Sequence, residues 1–281
     1  MSTADEKELW SFAFAGLRFH LDKKFQSQFL LEKSMLKDCT GEISGEEVLG
    51  DVYVHLRFQD GIFVLRTDAP QWQWQGSQGQ GVWGGAQVSM SLKSEVIFDA
   101  QMTVECNLAA FVDGLIAIAI AILRRSNALI FHAAGIECQG TAVLFVGPSG
   151  AGKTTAANLS ELPWFVVDRV ALIRDQHAWV AWALPGGEKE ALQQPFCGNI
   201  HLPLRAIYGV RQGSTSQIHD MQRLRQAMLL QQNVLTELAT ENAGSLLEAL
   251  DDLTQTTEVA EIETVLERSH RALLENRASE K

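Results

Sequence analysis

The sequence contains few cysteines and fewer basic than acidic residues, and each of these features argues against certain classes of protein. Only 4 of the 281 residues are cysteines and no two form a C-x-x-C pair, so we expect reduced, structural thiols in a cytosolic protein. Lysine and arginine total 23 against 34 acidic residues, for a formal net charge of −11. A surface this acidic repels phosphate backbones, so nucleic acid is not expected as a partner, and a bound nucleotide must be met by local cations.

Long apolar runs and targeting signals are also missing. The most lipid-like run, residues 115–123, is too short to cross a bilayer, and Asp113 and Arg124 bracket it. The first ten residues, MSTADEKELW, are acidic where a secretory signal would be basic. We therefore expect a cytoplasmic protein with no membrane partner.

A phosphate-binding loop is the strongest motif that the sequence does contain. Residues 141–162 read TAVLFVGPSGAGKTTAANLSEL, in which an apolar strand and a helix-forming run frame a G-x-x-x-x-G-K-[ST] pattern. In such loops the glycines turn backbone N–H groups toward phosphate oxygens, the lysine reaches the β- and γ-phosphates and the hydroxyl binds Mg²⁺. A nucleoside triphosphate with Mg²⁺ is thus the expected ligand. The predicted nucleotide-binding residues are Gly147, Pro148, Ser149, Gly150, Ala151, Gly152, Lys153, Thr154 and Thr155.

The strand before this loop is expected to be the second arm of an antiparallel hairpin. Residues 129–138, LIFHAAGIEC, have a strand pattern, and Gln139-Gly140 predicts a two-residue turn before the loop strand. That register places His132 opposite Gly147, where an imidazole could contact a phosphate or relay a proton. A histidine whose hydrogen bonds are satisfied within the sheet is the alternative.

An aspartate follows the next apolar run along the chain. Residues 164–168 read WFVVD, and an acid at the end of a strand in the same sheet can approach the phosphate site. Asp168 is therefore predicted to hold Mg²⁺ or to accept a substrate proton. An ordinary surface ion pair is the alternative, since Arg169, Arg174 and Asp175 supply further charges close by.

The coarse pattern predicts two domains, a β-rich region over residues 1–105 and a loop-bearing domain over residues 106–281. Within the first, QWQWQGSQGQGVWGG at residues 71–85 predicts an irregular hairpin with packed tryptophans, or else a mobile loop that contacts a partner. In the second we expect a mixed α/β fold with a helical C-terminal part. Its predicted elements are a helix over 108–125, strands over 170–173, 177–184, 204–210 and 258–262, and helices from Ser214 onward at 221–235, 243–253 and 262–275.

Two stretches, LIFHAAGIECQGTAVLFVGPSGAGKTT and FVVDRVALI, resemble the catalytic domain of the HPr kinase/phosphorylase group and its kinase-like relatives. Those proteins share a fold with the ATP-dependent phosphoenolpyruvate carboxykinases, and the resemblance covers about residues 129–213. It implies that His132 matches the active-site histidine of the family and Asp168 the second acid of its Asp-Asp-Arg-Val motif. The first acid is Val167 here, so one group must serve as both base and metal ligand, or the chemistry is altered or lost.

The resemblance is closer to the peptide and serine kinase-like relatives than to the bifunctional enzyme. The arginine-rich signature that accompanies phosphorylase activity is missing, so HPr is not the expected substrate. The prediction is an ATP-dependent transfer of phosphate to a hydroxyl, most simply a serine of a protein or peptide, with Asp168, His132 and Lys153 catalytic and with Thr154 and Asp168 on the metal. A degenerate nucleotide-binding regulatory protein and an ATPase are the alternatives. Residues 1–105 would recognise the substrate, and a homo-oligomer is possible because relatives with this core are often hexameric.

Overall fold

The structure, a computed structural model, describes residues 9–22, 49–59, 71–104, 108–126, 128–166, 168–176, 178–184, 200–235, 243–265 and 269–279. These residues form a strand-rich, mixed α/β protein with two sheets. They divide into two compact units, one up to Ile122 and one from Leu123 onward. Val167, which the resemblance singles out, lies outside the described residues.

The first unit contains a seven-stranded sheet with the order β1-β2-β3-β7-β6-β5-β4. Its side chains alternate between buried and exposed positions along most strands, as expected for a sheet with one face on a core. The strands are β1 (Leu9–Phe14), β2 (Leu17–Asp22), β3 (Gly50–Phe58), β4 (Gln71–Gln75), β5 (Gln78–Trp83), β6 (Ala86–Ser94) and β7 (Ile97–Val104).

The tryptophan-rich segment forms a hairpin, β4–β5, as the first of the two predictions has it. Trp72 pairs with Gly81 and Trp74 with Gly79 across the two strands. A Cβ atom at Gly81 would stand 2.6 Å from the Trp72 ring, and one at Gly79 would stand 2.8 Å from the Trp74 ring. The two glycines of β5 therefore leave room for the indole rings of Trp72 and Trp74, which extend from β4 over β5. Trp72 is only 5% exposed.

The helix predicted at residues 108–125 is present with those bounds as α1 (Leu108–Arg125). It is apolar nearly all round and its described side chains from Ala110 to Leu123 are buried, so burial rather than an amphipathic face accounts for its composition. Gly114 faces Met102 of β7 so closely that a Cβ would meet the sulfur at 2.3 Å. The part of α1 up to Ile122 belongs to the first unit. Among the helices described, none has the length and apolar character needed to cross a membrane.

The second unit contains the predicted loop in a mixed eight-stranded sheet. Its strands are β8 (Leu129–Cys138), β9 (Thr141–Val146), β10 (Trp164–Val166), β11 (Arg169–Arg174), β12 (Trp179–Ala183), β13 (His201–Gln212), β14 (Gln217–Asp220) and β15 (Glu258–Thr264). Its described helices are α2 (Lys153–Leu159), α3 (Arg223–Asn233), α4 (Ala243–Thr256) and α5 (Arg271–Ser279).

The strands of this unit pair in both parallel and antiparallel directions, and five of them form a closed ring of pairings. β8 and β9 form the expected antiparallel hairpin, while β9 and β15 run parallel to β13 on its two sides. β13 also pairs with β12, β12 with β11, and β11 with β8, so five strands form a ring of pairings. Two apolar cores result: α3 and α4 contribute to one, and α2 and α5 to the other.

Two C-terminal predictions were wrong. Residues 217–220, expected to be helical, form the edge strand β14, and residues 262–264, expected to begin the last helix, complete β15. β15 pairs with β13 over its whole length and with β14 on its other side. Sheet pairing here outweighs the helix preference of the local sequence, which is a weak determinant when tertiary contacts compete.

Candidate functional site

The glycine-rich loop leaves the carboxyl end of β9 and leads into α2. Gly150 and Gly152 have φ values of +80° and +96°, a region that glycine enters without strain and that most other residues avoid. A Cβ atom at Gly150 would meet nothing within 4 Å, so the loop has open space beside its backbone. Pro148, Ser149 and Gly150 are exposed, as are Thr154 and Thr155 on the first turn of α2.

Lys153, the first residue of α2, is buried and folds back over the loop. Its Nζ donates to the carbonyl oxygen of Gly147 at 2.9 Å and to that of Pro148 at 3.3 Å. Burial lowers the pKa of the Lys153 ammonium, and the negative charge of Asp168 opposes that shift. The ammonium of Lys153 therefore lies at the start of the loop and within electrostatic reach of Asp168.

The hairpin register agrees with the sequence prediction. Gln139 and Gly140 both have positive φ, as a tight turn of this kind requires, and Ala133 pairs with Val146. The next positions outward are His132 and Gly147, so the histidine lies beside the start of the loop. His132 has the same strand parity as Ala134 and Ile136, which pack in one core with Ala156 and Ala157 of α2. Its side chain thus lies on the face of the sheet that carries Lys153.

Asp168 lies on the other edge of β8 from the loop, at the break between β10 and β11. Its carbonyl oxygen accepts the N–H of Ala133 at 3.0 Å, which fixes the aspartate beside the hairpin. One carboxylate oxygen lies 3.1 Å from Nε2 of His132, and the other is 2.5 Å from the guanidinium of Arg169. The His132 side chain is 45% exposed and that of Asp168 only 15%. The structure therefore brings together His132 and Asp168, and Lys153 lies within electrostatic reach of Asp168.

One residue that contacts the loop has no sequence signal. Asn233, at the end of α3, accepts the N–H of Gly147 on its Oδ1 at 2.8 Å. An asparagine that ends a helix is common, and the loop lies 86 positions earlier in the chain. The contact exists only because α3 folds back across the sheet, so motif spacing could not indicate it.

The residues that could hold a nucleotide are those of the loop together with Lys153 and Arg169. The loop offers backbone N–H groups beside open space, and Lys153 and Arg169 supply positive charge. Among the described side chains no group of three or more histidines, cysteines or acids could hold a metal. Mg²⁺ commonly uses one or two carboxylates together with phosphate oxygens and water, so Asp168 and the Thr154 hydroxyl remain a chemically suitable pair for it. That the two share one ion stays a prediction.

The sequence matches the family described as SynChlorMet cassette protein ScmC over residues 99–256, more than half of the chain. The matched range includes the hairpin, the glycine-rich loop, Asp168 and Asn233. No curated protein matches the sequence.

Proposed function

This chain belongs to the family described as SynChlorMet cassette protein ScmC, and we propose that it is an ATP-dependent phosphotransferase. The acceptor in this proposal is a hydroxyl, most simply a serine of a protein or peptide. The observation that supports it best is the contact of the His132 imidazole with the Asp168 carboxylate on the strand beside the loop, with Lys153 within electrostatic reach of Asp168. We also propose that the chain is related to the HPr kinase-like proteins and shares their fold.

Binding is assigned to the loop and its cations. The N–H groups of the loop residues after Pro148, apart from that of Ala151, and the ammonium of Lys153 would hold the phosphates. This requires Lys153 to exchange its bonds with the Gly147 and Pro148 carbonyls for phosphate oxygens. The Thr154 hydroxyl and Asp168 would hold Mg²⁺. When bound, ATP with Mg²⁺ would supply the phosphoryl group that passes to the acceptor oxygen, leaving ADP.

Proton removal is assigned to His132 and Asp168 together. Both carboxylate oxygens of Asp168 already have a partner, one the imidazole and one the Arg169 guanidinium. With Nε2 of His132 donating to Asp168, the other ring nitrogen, Nδ1, can accept the proton of the acceptor hydroxyl. Asp168 would then stabilise the imidazolium that forms, as a carboxylate does in other histidine–carboxylate pairs. Most of the rate enhancement would come from positioning the reactants and from electrostatic stabilisation of the transition state, which dominate catalysis of phosphoryl transfer.

The test is a search for a phosphorylated product by mass spectrometry. Purified protein is incubated with ATP, Mg²⁺ and the peptides or proteins encoded beside its gene, the first acceptors to try for a family described as cassette proteins. Lys153→Ala and Asp168→Asn should each reduce product about 100-fold or more, since each removes charge or base function from the transition state. Lys93→Ala and Asp175→Asn make the same chemical changes at exposed positions and should not.

Each of the remaining outcomes contradicts the transferase. Nucleotide that binds tightly while no candidate acceptor gains phosphate would favour a regulatory nucleotide-binding protein, for which valine at position 167 is the motivation. Phosphate released to water with no phosphorylated acceptor would favour an ATPase.

A further inference from the structure

We propose that Asn233 is a positioning residue that holds the first residue of the phosphate-binding loop in place and joins it to the strand of His132. Its side chain is 7% exposed and uses both ends of its amide. Oδ1 accepts the N–H of Gly147 at 2.8 Å, and Nδ2 donates to the carbonyl oxygen of Leu229 at 2.8 Å. The consequence for nucleotide binding rests on the proposed function; the structural role does not.

Gly147 is held from two sides. Its N–H is bound by Asn233 and its carbonyl oxygen accepts from Lys153, so both backbone polar groups of this residue have partners within the protein. Further along the loop, the N–H of Ala151 donates to the carbonyl oxygen of Pro148 at 3.1 Å, and the other loop N–H groups would face the ligand. Because Gly147 is buried, an N–H without Asn233 would lose its partner in a place that water reaches poorly, and the start of the loop would become free to shift.

The helix that carries Asn233 is itself fixed to the parallel strands. Leu229 packs over Gly209 of β13, where a Cβ atom would stand 2.9 Å from its side chain. Gln226 donates from Nε2 to the carbonyl oxygen of Val259 in β15 at 2.8 Å. A loop tied to α3 is therefore connected to β13, which pairs with the loop strand β9, and to β15 on the other side of β13.

The chain after Asn233 turns at once onto β8. α3 ends at Asn233, Val234 is extended and bridges Phe131, and the N–H of Leu235 donates to the carbonyl oxygen of Ile130 at 2.7 Å. Phe131 immediately precedes His132. The end of α3 thus connects the two halves of the candidate site, the loop on one side and the strand of the histidine on the other.

An amide is the side chain that these two contacts require. The Gly147 N–H needs an acceptor and the Leu229 carbonyl needs a donor, and asparagine offers both from one planar group. Aspartate would keep the acceptor and lose the donor. Leucine has a similar size and would lose both.

The experiment uses the full chain and compares Asn233→Leu and Asn233→Asp with wild type. Gln232→Leu is the matched control, since it removes an exposed amide one position earlier on the same helix. Hydrogen exchange of the Gly147 amide is measured by NMR without nucleotide, ATP·Mg²⁺ affinity by calorimetry, and thermal unfolding as the check on folding. All comparisons are made well below the unfolding temperature of the least stable variant.

In Asn233→Leu we expect Gly147 exchange to rise at least tenfold and ATP·Mg²⁺ affinity to fall about tenfold, the size of one lost buried hydrogen bond. Asn233→Asp should restore much of the protection at Gly147, and Gln232→Leu should match wild type. Unchanged Gly147 exchange in both Asn233 variants would overturn the inference, whatever the affinities. If the wild type binds no nucleotide, the proposed function fails, while the exchange measurement still decides the role of Asn233.

Discussion

His270 should make the stability of the second unit depend on pH in the mildly acidic range. Its side chain is 2% exposed, and its ring meets that of Phe145 edge-on with centroids 6.0 Å apart. Its backbone N–H donates to the carbonyl oxygen of Leu159, the last residue of α2, at 3.2 Å. Burial lowers the pKa of His270, and the backbone carbonyl of Ala156 in α2 offsets this shift only in part.

The direction of the effect follows from where the proton binds first. As the pH falls through about 6.5, the histidine of the unfolded chain takes up a proton, while the buried histidine of the folded chain stays neutral. The contribution of His270 to stability is therefore complete above that pH and declines below it, until the pH passes the lowered pKa of the folded state. One proton gives a maximum slope of about 1.4 kcal/mol per pH unit.

The assay is urea unfolding between pH 8 and pH 5, with the pH slope as the quantity compared. His270→Gln removes the titrating group, so its free energy of unfolding should change less over this range than that of wild type, even if its absolute stability is lower. His55→Gln is the matched control, because the side chain of His55 is 62% exposed. Equal slopes for wild type and His270→Gln would refute the reasoning.

Two further perturbations test other parts of the structure. Gly81→Ala places a methyl group 2.6 Å from the Trp72 ring, so we expect urea unfolding to show a free energy of unfolding lower by about 1–3 kcal/mol. The control, Gln80→Ala at an exposed neighbouring position, should change it little. A more stable Gly81→Ala protein would contradict the close packing of Trp72 on Gly81. Thr154→Ala should weaken nucleotide binding about tenfold in Mg²⁺ and hardly at all in EDTA, as calorimetry would show; an equal loss in both would rule out a metal role for the hydroxyl.

Local signals account for the parts of the site that the sequence predicts. The turn at Gln139-Gly140 determines the β8–β9 register, and the register alone places His132 beside Gly147. The loop motif and the flanking apolar strand likewise lie within one short segment. For these features no knowledge of the rest of the fold is needed, because the residues that specify them are neighbours in the chain.

Features that depend on distant pairing were not predicted. Asn233 reaches Gly147 only after α3 has packed against Gly209 and Val259, and no local pattern encodes that path. Strand β14 is missed for the same reason, since its four residues become a strand through pairing with β15. The helical preference of the surrounding sequence is weak, and a neighbouring strand edge outweighs it.

One aspartate, Asp168, is enough to arrange the charged side chains of the site. The charge balance that results is also the reason to test the chemistry of the site. The chain has a net charge of −11, and the described residues of the candidate site include two cations, Lys153 and Arg169, together with the acid Asp168. The kinases that the sequence resembles carry a second acid where valine stands at position 167 here. Without that acid the sequence has one negative charge fewer to oppose a polyphosphate and one group fewer for metal binding and proton removal. Binding should therefore tolerate this departure better than transfer does, so ATP affinity and phosphorylated product must be measured on the same preparation.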